Sequence, residues 1–336
     1  MVEKRQSSSG KVIWASSASR VETAPPGTPR KRRAAVELPS LRQGFLVAAA
    51  ALYLAATALL VACLFPSYGH TVPALVHETA QTFTVLVPAA CFLVTAVLLV
   101  LGSKNGVLAR IGTAFGVAVT LLFTGFVVLQ ALAPIVKLGS RYAGPGVWIL
   151  LFSPLPALAG LAVAIIETRH GRRLGRPQIP GPIAALVAVV ATAGIAVAWV
   201  PFPYRIHYVI QDEQRAGNLK HAWEFAGPWE QVAAVIVVLV LISLVGLCVA
   251  TWRPFMNAGA MALGFAVEML SQAAVYIYQA SVPFDPALVH ATAAQFQELG
   301  ASAAISFRPW FWIELSAVVL MLLIGAWYLL LREVPD

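Results

Sequence analysis

Runs of about twenty consecutive apolar residues recur along this chain, and no other feature constrains its fold as strongly. In hydrocarbon such a run must satisfy its own backbone N–H and C=O groups, so each is expected to be an α-helix. The runs are Gly44–Phe65, Gln81–Leu101, Val107–Ile135, Val147–Ile166, Pro182–Pro201, Gln231–Trp252, Pro254–Tyr278 and Pro309–Leu331. They predict an all-α integral membrane protein, a bundle of eight transmembrane helices. Only 11% of the residues are charged, where soluble domains carry about 25%.

The charge that remains is placed unevenly. The formal net charge is +8, and most of it comes from residues 1–42. That stretch is rich in Ser, Ala, Pro and Arg and poor in large apolar residues, which predicts a disordered basic tail. It does not have the layout of a signal peptide, because its first apolar run begins only near Gly44. With the tail in the cytoplasm, seventeen Lys/Arg fall inside and six outside. The positive-inside rule then places both termini in the cytoplasm. The cluster Arg30, Lys31, Arg32 and Arg33 serves this bias and is also expected to meet anionic lipid headgroups, at about 1 kcal/mol per basic residue. A basic balance of this origin argues for membrane topology and not for nucleic acid. The Ala/Val-rich body and the Pro/Arg-rich tail suit a bacterial envelope protein, expected as a multi-pass protein of the cytoplasmic (inner) membrane.

The basic loop 167–181 lies near the middle of the chain. It would divide the bundle into two four-helix halves, 43–166 and 182–332. Tyr142-Ala143-Gly144-Pro145 and Phe225-Ala226-Gly227-Pro228 enter two even-numbered runs, the fourth and the sixth, and Phe307-Arg308-Pro309-Trp310 enters the eighth, a faint sign of duplication. Proline also suits the first turn of any helix, which explains the match without duplication. The segments Phe202–Glu230 and Gln279–Arg308 are expected as long polar outer loops. Pro88, Pro154 and Pro156 sit inside spans, where each frees a carbonyl and permits a kink. Cys63, Cys91 and Cys248 all lie in apolar segments and are expected to be small buried hydrophobes, with no disulfide framework and no metal site.

Glu268 is the one carboxylate well inside a membrane-length run. At 100° per residue, Asn257, Met261, Gly264, Glu268, Ser271, Gln272 and Gln279 share an arc of roughly 100°. A charge at the bilayer centre costs on the order of 3 kcal/mol on insertion scales, so this arc should face protein or water. The candidate intramembrane polar site is therefore Glu268 with Ser271, Gln272, Asn257 and, from the third span, Gln130. Ser153 of the fourth span is a further possible partner. No Lys or Arg lies in the interior of another span, so an acid here should be hydrogen-bonded within the bundle or hydrated. The topology puts it in the outer half of the membrane.

Five of the six histidines fall on the expected outer side, together with most of the loop carboxylates. His77, Glu78, His207, Asp212, His221 and Asp285 form a candidate outer-face pool for acid–base chemistry. Their spacing matches no metal-ligand repeat, because His77-Glu78 lacks the second histidine of an H-E-x-x-H helix. No P-loop, nucleophile elbow or dinucleotide fingerprint occurs, and no cofactor is implied. The expectation is non-ATPase transport of a small solute or lipid, or an accessory role in an envelope complex. One alternative is a membrane-embedded enzyme acting on an envelope lipid at the outer face. Another is a structural scaffold that binds other membrane proteins through small-residue helix faces.

Overall fold

The computed structural model describes residues 43–67, 75, 79–127, 131, 135, 143–169, 182–199, 204–210, 213–218, 255–283, 293–298 and 302–330. Most of these are helical. The helices are α1 (Gln43–Ala62), α2 (Thr79–Gly102), α3 (Gly106–Val127), α4 (Pro145–Phe152), α5 (Pro154–Arg169), α6 (Pro182–Trp199), α7 (Phe255–Ser281), α8 (Ala293–Glu298) and α9 (Pro309–Leu330). Among the described residues, six helical stretches are long and apolar enough to cross a membrane: Gln43–Ala62, Thr82–Gly102, Gly106–Val127, Pro145–Thr168, Met256–Ser281 and Pro309–Leu330. The fifth predicted span appears as α6. The sixth, Gln231–Trp252, lies outside the described residues.

Local chemistry explains where these helices begin and turn. The α2–α3 hairpin turns over residues 103–105, and the Asn105 side chain caps α3 by accepting from Val107 N–H at 3.0 Å. A Cβ on Gly102 would collide with the backbone of Ala109, so only glycine lets the two helices leave the turn this close. Pro145 stands in the first turn of α4 behind an extended Gly144. The fourth span is broken at Ser153: α4 ends before it and α5 starts at Pro154, which has no N–H to continue the ladder. The buried Ser153 hydroxyl donates to Leu150 O at 2.7 Å.

The first four spans pack as a closed ring: α1 on α2, α2 on α3, α3 on α5, and α5 back on α1. Residues at helical spacing on α1 (Leu46, Ala49, Ala50, Tyr53, Ala56 and Leu60) form its buried face. Tyr53, Phe92 and Phe123 fill the ring's interior, with Phe92 edge-on to Phe123 at 88° and a centroid spacing of 5.4 Å. Outside the ring, α7 packs on α3 and α2, α9 packs on α7, and α6 packs on α9. Large apolar side chains such as Leu186, Leu323, Val190 and Leu155 stand more than half exposed on the outer helix faces. In water, exposure on this scale would drive aggregation; against lipid tails it costs nothing.

The all-α expectation needs one correction. A three-stranded antiparallel sheet forms from segments read as irregular loops: β1 (Tyr204–Ile210), β2 (Glu213–Asn218) and β3 (Ser302–Phe307), in the order β2-β1-β3. His207 pairs with Ala216 on one side and Ala304 on the other. The sequence Tyr-Arg-Ile-His-Tyr-Val-Ile is rich in β-branched and aromatic residues, a strand signal that its polar neighbours mask. The pairing is long-range: β3 comes from the other long segment, more than eighty residues on.

The sheet also orders the helices. Tyr204, just after α6, pairs with Phe307, just before α9, so α6 and α9 run antiparallel. Gly259 near the start of α7 lies against Gly325 and Tyr328 near the end of α9, so α7 and α9 are antiparallel too. Consequently α6 and α7 run parallel.

Candidate functional site

Helix α7 is the element that ties the ring to the outer helices. It spans 27 residues, and Glu268 stands at its midpoint. The predicted arc faces protein. Gly264 lies so close to α3 that a Cβ there would stand 3.0 Å from Phe115 O and 3.2 Å from Val119 Cγ2. One turn further, Glu268 is 6% exposed, and Asn257 on the same arc is 7% exposed. A run of small residues thus lets α7 approach α3 and α2 closely enough to enclose a carboxyl group.

The partner of that carboxyl is not the one expected. Cys91 of α2, read from sequence as an inert buried thiol, is buried beside Glu268 and donates a hydrogen bond to its carboxyl. Glu268 Oε1 is buried and has no hydrogen-bond partner among the described residues. The Ser271 hydroxyl, one turn on, donates to the backbone carbonyl of Glu268 at 2.7 Å instead of to its carboxyl. Ser153 is likewise engaged with its own helix. Gln272 is half-buried, and Gln130 lies outside the described residues.

A thiol is a weak donor, and a carboxyl oxygen enclosed without any partner is costly in a low-dielectric interior. Each group that usually neutralises a buried carboxylate is missing from its described surroundings. What this arrangement can do chemically is hold a proton, or release it when a partner or water arrives.

Two further polar features escaped the sequence reading. Glu314 of α9 is 5% exposed, as deeply enclosed as Glu268. It sits near the start of its run. Yet Phe311, Glu314, Ala317, Val318 and Met321 share the buried face of α9, and that periodicity was the available signal. Glu314 interacts electrostatically with Tyr276 of α7. Inside the ring, Tyr53 Oη and Thr120 Oγ1 are 3.0 Å apart, and the Thr95 hydroxyl donates to Cys91 O at 2.9 Å. Gly116 makes room for this cluster, because a Cβ there would stand 2.7 Å from Tyr53 Oη and 2.9 Å from Thr95 Cγ2.

Of the outer-face candidates, His207 lies on the central strand β1. His77, Glu78, Asp212, His221 and Asp285 lie outside the described residues, as do Arg30, Lys31, Arg32 and Arg33. Among the described residues no cluster of three His, Cys, Asp or Glu side chains forms a candidate metal site.

Fold and surface together define a multi-pass helical membrane protein whose outer helix faces meet lipid. No protein-family model matches the chain, and neither a curated protein nor a solved structure matches it.

Proposed function

We propose that this protein moves a small solute or lipid across the membrane, or serves an envelope complex that does so, with Glu268 as an exchangeable proton site. No ATP would be hydrolysed by the chain itself, which has no nucleotide motif. The observation that carries this reading is the enclosed Oε1 of Glu268, without a hydrogen-bond partner among the described residues, at the midpoint of a membrane-length helix. A carboxyl retained only to bridge helices would have both oxygens satisfied, because an unsatisfied one weakens the bundle it is meant to hold. An ionisable residue held within the membrane at such a cost is the pattern of ion and proton pathways.

The test uses the full chain in liposomes that enclose a pH-reporting dye, with a membrane potential imposed by a potassium gradient. Proton flux above that of empty liposomes is expected. Glu268→Gln, which keeps the shape and removes the exchangeable proton, should reduce it to the background. Equal flux from the Glu268→Gln variant and the unaltered protein would overturn the proposal.

A further inference from the structure

The two halves of α7 differ sharply in what they offer a proton. From Ala258 to Val267 the sequence is Ala-Gly-Ala-Met-Ala-Leu-Gly-Phe-Ala-Val, ten residues with no polar side chain. On this side Met261 and Phe265 are buried, and Gly264 brings the backbone of α3 into direct contact. The next polar group on the arc is Asn257, about 16 Å from Glu268 along the helix. Beyond Glu268 the pattern reverses. Gln272 and Tyr276 follow at successive four-residue steps, each about 6 Å along one face. Tyr276 lies within electrostatic reach of Glu314 of α9, which stands five residues from the start of its helix. That end of α7 and the start of α9 both meet β3.

Resting on the proposed role of Glu268, we infer that in this conformation its proton is exchanged from one side only, the side of the β-sheet, along Glu314, Tyr276 and Gln272, and that transfer to the other side requires α7 to part from α3. The opposite side is sealed by the packing of α7 on α3. Each member of the series has hydrogen-bonding chemistry suited to the task. A carboxyl and a phenol can take up a proton and pass one on, whereas the Gln272 amide accepts at oxygen and donates from nitrogen, so it positions water for the last step to Glu268 and does not itself carry the proton. Net transfer passes one proton from the sheet-side water to the Glu268 carboxylate, and release reverses the path. Few other ionisable groups face this series among the described residues. Cys91 meets Glu268 from α2. On α3 the ionisable side chain is Arg110, near the start of that helix. Arg308 precedes α9, and Leu186–Ile195 of α6 carries no ionisable group.

The experiment uses dicyclohexylcarbodiimide, a membrane-soluble reagent that adds the O–H of a protonated carboxylic acid across its N=C bond. The full chain is placed in liposomes, and orientation is read from a tag on the C-terminus, which follows the end of α9 away from the sheet. The pH is set separately on the two sides, and labelling of the Glu268 peptide is followed by mass spectrometry. Labelling should fall when pH rises on the sheet side and stay constant when it rises on the other. In Tyr276→Phe with Gln272→Leu, and separately in Glu314→Gln, the response to a sheet-side pH jump should slow by about tenfold or more, a modest share of what a positioned proton-transfer group contributes. Labelling that follows the far side, or both sides equally, overturns the one-sided route. An unchanged response rate in both variants removes these residues from it. Labelling indifferent to pH on either side overturns the exchangeable proton itself, and with it the function proposed above.

Discussion

Replacing Glu268 by methionine should make the protein more stable and leave it inactive. Methionine is close to glutamate in length and adapts to irregular spaces, so the contact of α7 with α2 and α3 is kept. The substitution removes an enclosed oxygen that has no partner among the described residues, a group whose desolvation costs about 1–3 kcal/mol. It also removes the hydrogen bond from Cys91, whose net worth is at most about 1 kcal/mol for a neutral donor. The released thiol is tolerated, because buried cysteine behaves as a small hydrophobe. The difference favours the variant by up to about 2 kcal/mol. Reversible unfolding in mixed micelles, titrated with a denaturing detergent and followed by tryptophan fluorescence, measures it. The same preparation in liposomes should give no proton flux above background. A loss of about 1 kcal/mol or more in Glu268→Met would mean that the carboxyl is a satisfied bridge between helices. The reasoning from an unsatisfied oxygen would then be wrong.

Three further outcomes test the packing around the site. Gly259→Val should destabilise by about 1–3 kcal/mol, the range for overpacking, because a Cβ there would stand 2.8 Å from Gly325 O and 3.0 Å from Leu329 N. The control Gly44→Val, where nothing lies within 4 Å, should fall well short of that in the same unfolding titration. Tyr53→Phe and Thr120→Val should each cost about 1 kcal/mol, and the double variant no more than either alone, since both remove the one contact between Tyr53 Oη and Thr120. Coupling energy near zero in that cycle would refute the bond. Cys91 is buried, so a maleimide should modify its peptide only after denaturation; rapid modification of the folded protein would place α2 and α7 further apart than described.

Much of this fold was legible before any coordinates, and for a simple reason. Hydrocarbon forbids an unpaired backbone, so apolar length alone announces a helix. The arc around Glu268 was legible too, because helical periodicity places Asn257, Gly264 and Glu268 on one face whatever that face meets. The sheet was hidden: β1 carries a strand-like composition, but its pairing with β3 joins segments far apart in the chain. Cys91 was hidden for a related reason. A thiol in an apolar run has the same sequence appearance whether it meets a methyl group or a carboxyl.

What the sequence determined by itself is the class: a chain of membrane-length helices with one acid at the centre of the seventh run. Tertiary structure alone decided what surrounds that acid. Close approach of α7 to α3 and α2, allowed by Gly264, encloses one carboxyl oxygen and brings Cys91 to the group. The packing of α9 on α7 brings Glu314 within electrostatic reach of Tyr276. Such neighbours depend on how rigid helices of fixed pitch lie against one another, and no single run of residues contains that information.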